Sequence, residues 1–394
     1  MPSRSKSSAP QITREELNRA TLARQHLLGR TAASPLEVVE RLVGLQSQLP
    51  GPPYTGLWSR IEGFAFVDLA EAIAGKQLVR MGLMRGTIHV VSARDAAGLW
   101  TFMAPFYAGN FASVRGPALE ASGVELAAAV EQAETLLREA PRTPKDLGEA
   151  MAGRWPDANA SWLGSIPRYL SGAVQIPPRG LWGESATATY ALLSDWVGRE
   201  DSGFEAREVV RRYLAGFGPA SVADAQQWCG RKGLKAAFDE LGDELVMFVG
   251  PDGETKLYDL ADAERPAADT PAPVRLLPEW DNVLLSYADR TRVIDEDRRK
   301  AIMSVNGIND AAVLVDGRVE ATWKASPGKA GGTIAVAPFG KLTKALRGAI
   351  ESEAHALLTA MGAGYADGDV SIEPAGAAWA PSWKRGHKRS GAGG

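Results

Sequence analysis

The sequence predicts an α+β fold: tandem winged-helix units, each a helix-turn-helix with a β-hairpin wing, followed by a C-terminal mixed α/β region. Three observations carry this. Helical patterns come in groups, and each group is followed by a short β-rich stretch broken by Gly or Pro. That order appears three times, although no sequence repeat of fixed period accompanies it. After residue 274 an Asp-Gly hairpin signal and a long amphipathic pattern mark a region of another kind.

The first unit is placed at 11–115. Thr13-Arg14-Glu15-Glu16 is a capping box, which should open a helix running to about Leu28 and stopped by Gly29. Ser34 caps the next helix and Pro35 suits its first position. Val39, Val43 and Gln46 recur at helical spacing, which carries that helix to the glutamines. Pro50 pushes Leu49 out of the helical region, so the helix should fray between Gln46 and Gln48 and let both amides look into one cleft. Phe66 to Gln77 reads as a third helix, and Leu83 to Arg85 with Thr87 to Val91 as paired strands around Gly86. Asp95 to Gly109 reads as helix.

The second unit, 116–200, offers helices at Val124 to Glu139, Thr143 to Ala152 and Ser161 to Leu170, then a strand and wing from Gly172 to Gly180. The third, 201–262, offers helices at Glu205 to Gly216, from Ser221, and at Gly233 to Leu241. Glu244 to Val249 and Thr255 to Leu260 then flank the turn Pro251-Asp252-Gly253. Ala261 to Pro273 reads as a linker. In the last region, 274–380, Val274 to Leu277, Val283 to Ser286, Ala312 to Val315, Arg318 to Trp323, Thr333 to Ala337 and Asp369 to Ile372 read as strands. Leu342 to Met361 reads as an amphipathic helix there. Met1 to Pro10 reads as a disordered tail, and 381–394 as a basic one.

With 394 residues, 45% of them hydrophobic, the chain is long enough for more than one core. Its net charge of −3 excludes a strongly basic nucleic-acid protein by totals, but local basic patches decide contact with phosphates. Cys229 is the only cysteine, which excludes a disulfide framework and a cysteine-based zinc site. His26, His89, His355 and His387 have no metal-ligand spacing. There is no Gly-x-Ser-x-Gly elbow, phosphate loop or dinucleotide fingerprint. No metal or cofactor is expected, and no run reaches membrane-span length, so a cytoplasmic protein is expected.

Few residues stand out chemically. Gln46 and Gln48 are the first candidates, against the plain reading of two polar residues ending a helix. Arg85, Thr87 and His89 share one side of an extended chain and offer a polar wall to the same cleft. Arg290 and Arg292 are candidate phosphate contacts, as are Arg318 and Lys324, against ordinary surface ion pairs. Of the eleven tryptophans, Trp58, Trp155 and Trp182 lie near turns, where an indole could stack on a base.

Gly44-Leu45-Gln46-Ser47-Gln48 followed by Gly56-Leu57-Trp58-Ser59-Arg60 resembles the start of the AlkZ/YcaQ family of bacterial winged-helix DNA glycosylases. So do Arg85-Gly86-Thr87-Ile88-His89-Val90-Val91 and Tyr213 to Ala220. Further on, Arg275-Leu276-Leu277-Pro278-Glu279-Trp280-Asp281, Tyr287-Ala288-Asp289-Arg290, and Leu314 to Arg318 leading to Thr322-Trp323 resemble it too. The resemblance implies a C-shaped cleft of tandem winged helices around double-stranded DNA. It implies a catalytic Gln-x-Gln motif in the AlkZ-like branch, against Gln-x-Asp in the other; Gln46 and Gln48 match the first. Ser47 departs from the usual aliphatic or alanine middle residue. The activity implied is monofunctional excision of alkylated bases, N7-alkylpurines above all, extending to the unhooking of interstrand crosslinks. The rival functions are a winged-helix DNA-binding regulator without catalysis and a scaffold that uses its wings for protein contacts.

Overall fold

The computed structural model describes residues 9–198, 203–304, 307, 309–329 and 331–376. Residues 1–8 of the expected N-terminal tail, and the whole basic C-terminal tail, lie outside them.

The chain opens with α1 (Arg14–Arg24), whose Thr13/Glu16 capping box is formed as expected, but the helix stops earlier than Leu28. His26 at φ 55 turns the chain before Gly29 can. Next comes α2 (Pro35–Arg41), capped by Ser34 and Glu37, and here the structure corrects the sequence reading. The helix does not run to the glutamines. Val43 at φ 52 and Gly44 at φ 101 break it, and Leu45–Gln46 forms strand β1. A β-branched residue in the left-handed region is costly, so the surroundings must hold that elbow.

There follow α3 (Pro52–Trp58), α4 (Phe66–Ala74), β2 (Leu78–Gly82), β3 (Ile88–Ser92) and α5 (Ala93–Val114). The hairpin starts five residues before the expected Leu83, and a tight turn at Met84–Gly86 replaces the expected first strand. Periodicity misled there because Leu78 to Gly82 is buried on both faces and shows no alternation.

The second group is α6 (Gly116–Ala121), α7 (Leu126–Glu139), α8 (Pro144–Ala152), α9 (Ala160–Leu170), β4 (Val174–Ile176), β5 (Thr189–Ala191) and α10 (Leu193–Val197). Gly148 and Gly164 let α8 and α9 touch: a Cβ on Gly164 would lie 1.8 Å from the Pro144 carbonyl oxygen. The strands of this group pair with the first group's hairpin, giving one antiparallel sheet in the order β1-β3-β2-β4-β5.

The third group is α11 (Ala206–Phe217), α12 (Val222–Cys229), α13 (Lys235–Leu241) and the hairpin β6 (Leu245–Val249) and β7 (Lys256–Leu260). The last region holds β8 (Arg275–Leu277), α14 (Asn282–Leu285), α15 (Glu296–Ile302), β9 (Ala312–Val315), β10 (Arg318–Ser326), β11 (Thr333–Pro338), α16 (Lys344–Met361) and β12 (Asp369–Ile372). Its sheet runs β12-β11-β10-β9-β8, with β12 parallel to β11 and the other pairs antiparallel. The β9–β10 turn is Asp316-Gly317, both at positive φ as such a turn requires. Val283 to Ser286, expected as a strand end, is instead the short helix α14. Asp281 caps it through a side-chain bond to the Val283 N–H, and that cap is what sequence alternation could not reveal.

The main core does not divide at the expected limits. It joins Leu42, Leu57 and Val90 of the first group to Tyr213 and Trp228 of the third and to Leu276, Ala321 and Leu357 of the last. Buried ion pairs cross the same limits. Arg60 meets Asp281 through two bonds of 2.8 Å, with side-chain exposures of 0% and 1%. Arg24 meets Asp259 through bonds of 2.6 and 2.8 Å.

Candidate active site

β1 is the edge strand of the first sheet, and the Gln-x-Gln motif begins on it with Gln46 and ends just after it with Gln48. In extended chain, residues two apart share a face. Gln46 is paired across to His89, and the Ser47 N–H donates to the Ile88 carbonyl at 2.7 Å, so the extended course continues toward Gln48. Gln46 is therefore held on a strand, not on a fraying helix, and Gln48 follows it in a bend, its side chain reaching the β3 backbone. Gln46 is buried and Gln48 exposed.

Four contacts fix this stretch. Asn282 Nδ2 donates to the Gly44 carbonyl at 2.9 Å, pinning the elbow before β1. Ser47, on the opposite face from the glutamines, binds Arg80 of β2. The guanidinium donates to Ser47 Oγ at 3.1 Å, to the Ser47 carbonyl at 2.8 Å and to the Arg179 carbonyl at 3.3 Å. The Ser47 hydroxyl thus has a buried partner. Burial, with Arg179 nearby, lowers the Arg80 pKa to about 10. The third contact is Arg85, which donates through Nη2 to Gln46 Oε1 at 2.9 Å and through Nη1 to the Trp228 carbonyl of α12. The fourth is the Ile88 N–H, which donates to Gln48 Oε1 at 3.1 Å.

Arg85 itself sits at φ 56 in the turn between β2 and β3. Burial lowers its pKa to about 10, and the cation of Arg290 acts in the same direction. Arg290 is half-buried and anchored by Nε to the Leu284 carbonyl at 2.6 Å. Among the described residues, neither Arg85 nor Arg290 has a carboxylate within ion-pair distance. Asp224, Glu296 and Asp289 act on the Arg290 charge, whereas Arg85, bonded to the Gln46 amide, faces the cation of Arg290, and an arginine in that setting suits phosphate.

Of the other candidates, burial corrects His89 and Arg292. Thr87 is half-buried and its hydroxyl closes the turn onto the Met84 carbonyl at 3.1 Å. His89 is 1% exposed, which excludes contact with DNA. Its Nδ1 lies 3.2 Å from the Thr87 carbonyl, an acceptor, so Nδ1 carries the proton. Burial, then the Arg85 charge, pushes the imidazole pKa down to about 3, so the ring is neutral and not a general acid. Arg292 is 2% exposed; it stacks on Tyr287 and pairs with Asp224, so it holds the fold together and meets no phosphate. Arg318 is bound to Asp295 and to the Thr291 carbonyl. Lys324 is exposed on β10, in the second sheet. Trp58 and Trp155 are buried, and Trp182 packs on Tyr54 and Phe66 while donating to the Met361 carbonyl, so none is a stacking platform.

Sequence reasoning missed Arg80, Asp281 and Asn282. A signal for the first existed: an arginine inside the apolar run Leu78-Val79-Arg80-Met81 has to find buried acceptors. Among the described residues no group of three or more His, Cys, Asp or Glu could hold a metal ion, and no helix is long and apolar enough to cross a membrane.

The class to which this mixed α+β chain belongs is that of the DNA glycosylases. The chain belongs to the AlkZ-like DNA glycosylase family, whose model matches residues 39–360. It is 25% identical over 361 residues to the interstrand DNA cross-link repair glycosylase of Streptomyces sahachiroi, covering 86% of this chain and 94% of that one. The solved structure of Streptomyces sahachiroi DNA glycosylase AlkZ superposes with a TM-score of 0.76 at 23% identity, over 92% of this chain and 100% of that one. That likeness concerns the fold.

Proposed function

We propose that this glycosylase hydrolyses the N-glycosidic bond of N7-alkylated purines in double-stranded DNA, and that crosslinks through N7 are within its reach. The observation that carries the reading is the pair of neutral amides at the edge of the sheet, each with its oxygen held by a donor, beside a histidine that stays neutral. An N7-alkylguanine already carries positive charge. Its bond to the sugar breaks with a neutral leaving base, so a general acid is unnecessary. What remains is to place water and to complement charge as it shifts in the transition state, and fixed amide dipoles do both. An uncharged base would need proton donation that this site lacks.

On this reading the helical groups act as tandem winged helices around the duplex, Arg290 and the outer edge of Arg85 meet the backbone, and the protein works as a nucleoid-associated monomer. The test is incubation with duplex DNA carrying 7-methylguanine. Release of free 7-methylguanine with a matching abasic site supports the proposal. A sequence-specific footprint without release would support a DNA-binding regulator, and no DNA affinity at low salt a protein scaffold.

A further inference from the structure

Resting on that proposed chemistry, the hydrogen bonds around the motif separate the roles of its two amides. The Gln46 carbonyl oxygen is taken by a guanidinium and the Gln48 carbonyl oxygen by a backbone N–H. Both partners can only donate, so the orientation of each amide is fixed by chemistry. No described residue accepts from either Nε2, and the Gln46 nitrogen is not among the buried orphans.

The two carbonyls are not equivalent. Gln46 Oε1 faces a cation at 2.9 Å in a buried setting, which draws electron density out of the amide. Its oxygen is a poor partner for anything positive, and its NH₂ is a strengthened donor. That end suits an electron-rich atom and would repel an oxocarbenium sugar. Gln48 Oε1 meets a neutral N–H and is exposed, so its second lone pair remains for a hydrogen from water.

We infer that Gln46, held by Arg85, donates to an acceptor atom of the departing purine, while Gln48 accepts a hydrogen bond from the attacking water; Arg85 is a positioning residue for Gln46. The C1′–N9 electron pair stays with the purine and cancels its charge, while water oxygen bonds C1′ and its proton leaves to solvent. Gln46 stabilises the base as it gains density, and Gln48 aligns the water without taking its proton. Arg85 reaches two partners, Gln46 and the Trp228 carbonyl, so one guanidinium ties the motif to α12.

The test is single-turnover release of 7-methylguanine at saturating enzyme, with DNA affinity measured separately. Gln46→Glu keeps shape and an ion pair to Arg85 but removes the donor; it should slow release by about 10²-fold or more. Gln48→Glu keeps an acceptor and should stay within about tenfold of wild type, the gap between the two variants being the readout. Arg85→Lys keeps the charge but cannot span both partners. It should slow release by about tenfold with unchanged affinity, and should add little in a Gln46→Ala background, as for groups acting as a unit. Equal losses in the two Glu variants, or the reverse order, overturn the assignment. So does an Arg85→Lys enzyme with wild-type release, or an Arg85→Ala enzyme that loses only affinity, which marks a phosphate contact. A wild-type protein that releases no 7-methylguanine sinks the proposed function. The division of labour then fails with it, whereas an active wild type without the Glu asymmetry overturns this inference alone.

Discussion

Asp281→Ala should be the most damaging single substitution outside the motif, and its cost follows from the surroundings. The carboxylate takes two bonds from Arg60, whose side chain is fully buried, and accepts the Val283 N–H at the start of α14. Removing it leaves a guanidinium without a counter-charge in the core. Breaking one side of such a pair costs about 3–5 kcal/mol, and loss of the cap adds about 1. The sum, about 4–6 kcal/mol, is a large part of the 5–15 kcal/mol by which domains are ordinarily stable. Urea denaturation of wild type, Asp281→Ala and the double variant Arg60→Met/Asp281→Leu measures it. The double variant buries no charge and should recover at least about 3 kcal/mol of the loss. A drop below about 1 kcal/mol in Asp281→Ala would mean that water reaches Arg60 and that the pair does not join the first group to the last region.

Further expectations concern the site. The pKa of His89, about 3 against an ordinary 6.5, means that the folded chain holds the neutral ring while the unfolded chain takes up a proton on acidification. Its contribution should leave stability unchanged above 6.5 and lower it as pH falls from there toward 3, read from urea midpoints, and excision should not follow an imidazole titration. Gly44→Ala would place a Cβ 2.7 Å from Val91 Cγ1 and 3.1 Å from the Val90 carbonyl oxygen at φ +101, so thermal melts should show clear destabilisation with reduced excision. Arg290→Ala should make the log–log salt dependence of DNA binding shallower, by about 0.9 for each phosphate the side chain no longer neutralises. Arg292→Ala should instead lower stability, since its partners are Asp224 and the Pro219 carbonyl.

The fold was legible where a local rule decides it. Thr13, Ser34, Thr143 and Ser221 cap the helices expected of them, and Asp316-Gly317 turns the hairpin expected of it. It was illegible where tertiary partners decide. Nothing local says that Val43 adopts positive φ; the Asn282 bond to Gly44, from 238 residues away, helps hold that elbow. The motif singled out the amides, and the place of Arg85 beside His89 singled it out; the bond between Arg85 and Gln46 was not legible. The sequence could not tell Arg290 from Arg292, two residues apart in a polar stretch. Only packing shows one half-buried, with its charge felt by Arg85, and the other sealed against Tyr287. The pairing of β4 with β2 was likewise out of reach, because it joins two groups and leaves no mark on either strand's own pattern.

The central claim is that two neutral amides, Gln46 on β1 and Gln48 just after it, perform the chemistry. Single-turnover release of 7-methylguanine by wild type, Gln46→Ala and Gln48→Ala, with thermal melts and DNA affinity measured alongside, tests it most directly. Each variant should melt and bind DNA like wild type while releasing base about 10²-fold more slowly, because the groups act mainly in the transition state. Release at the wild-type rate by both folded variants would contradict it, and would leave the glutamines as no more than a polar edge to a strand.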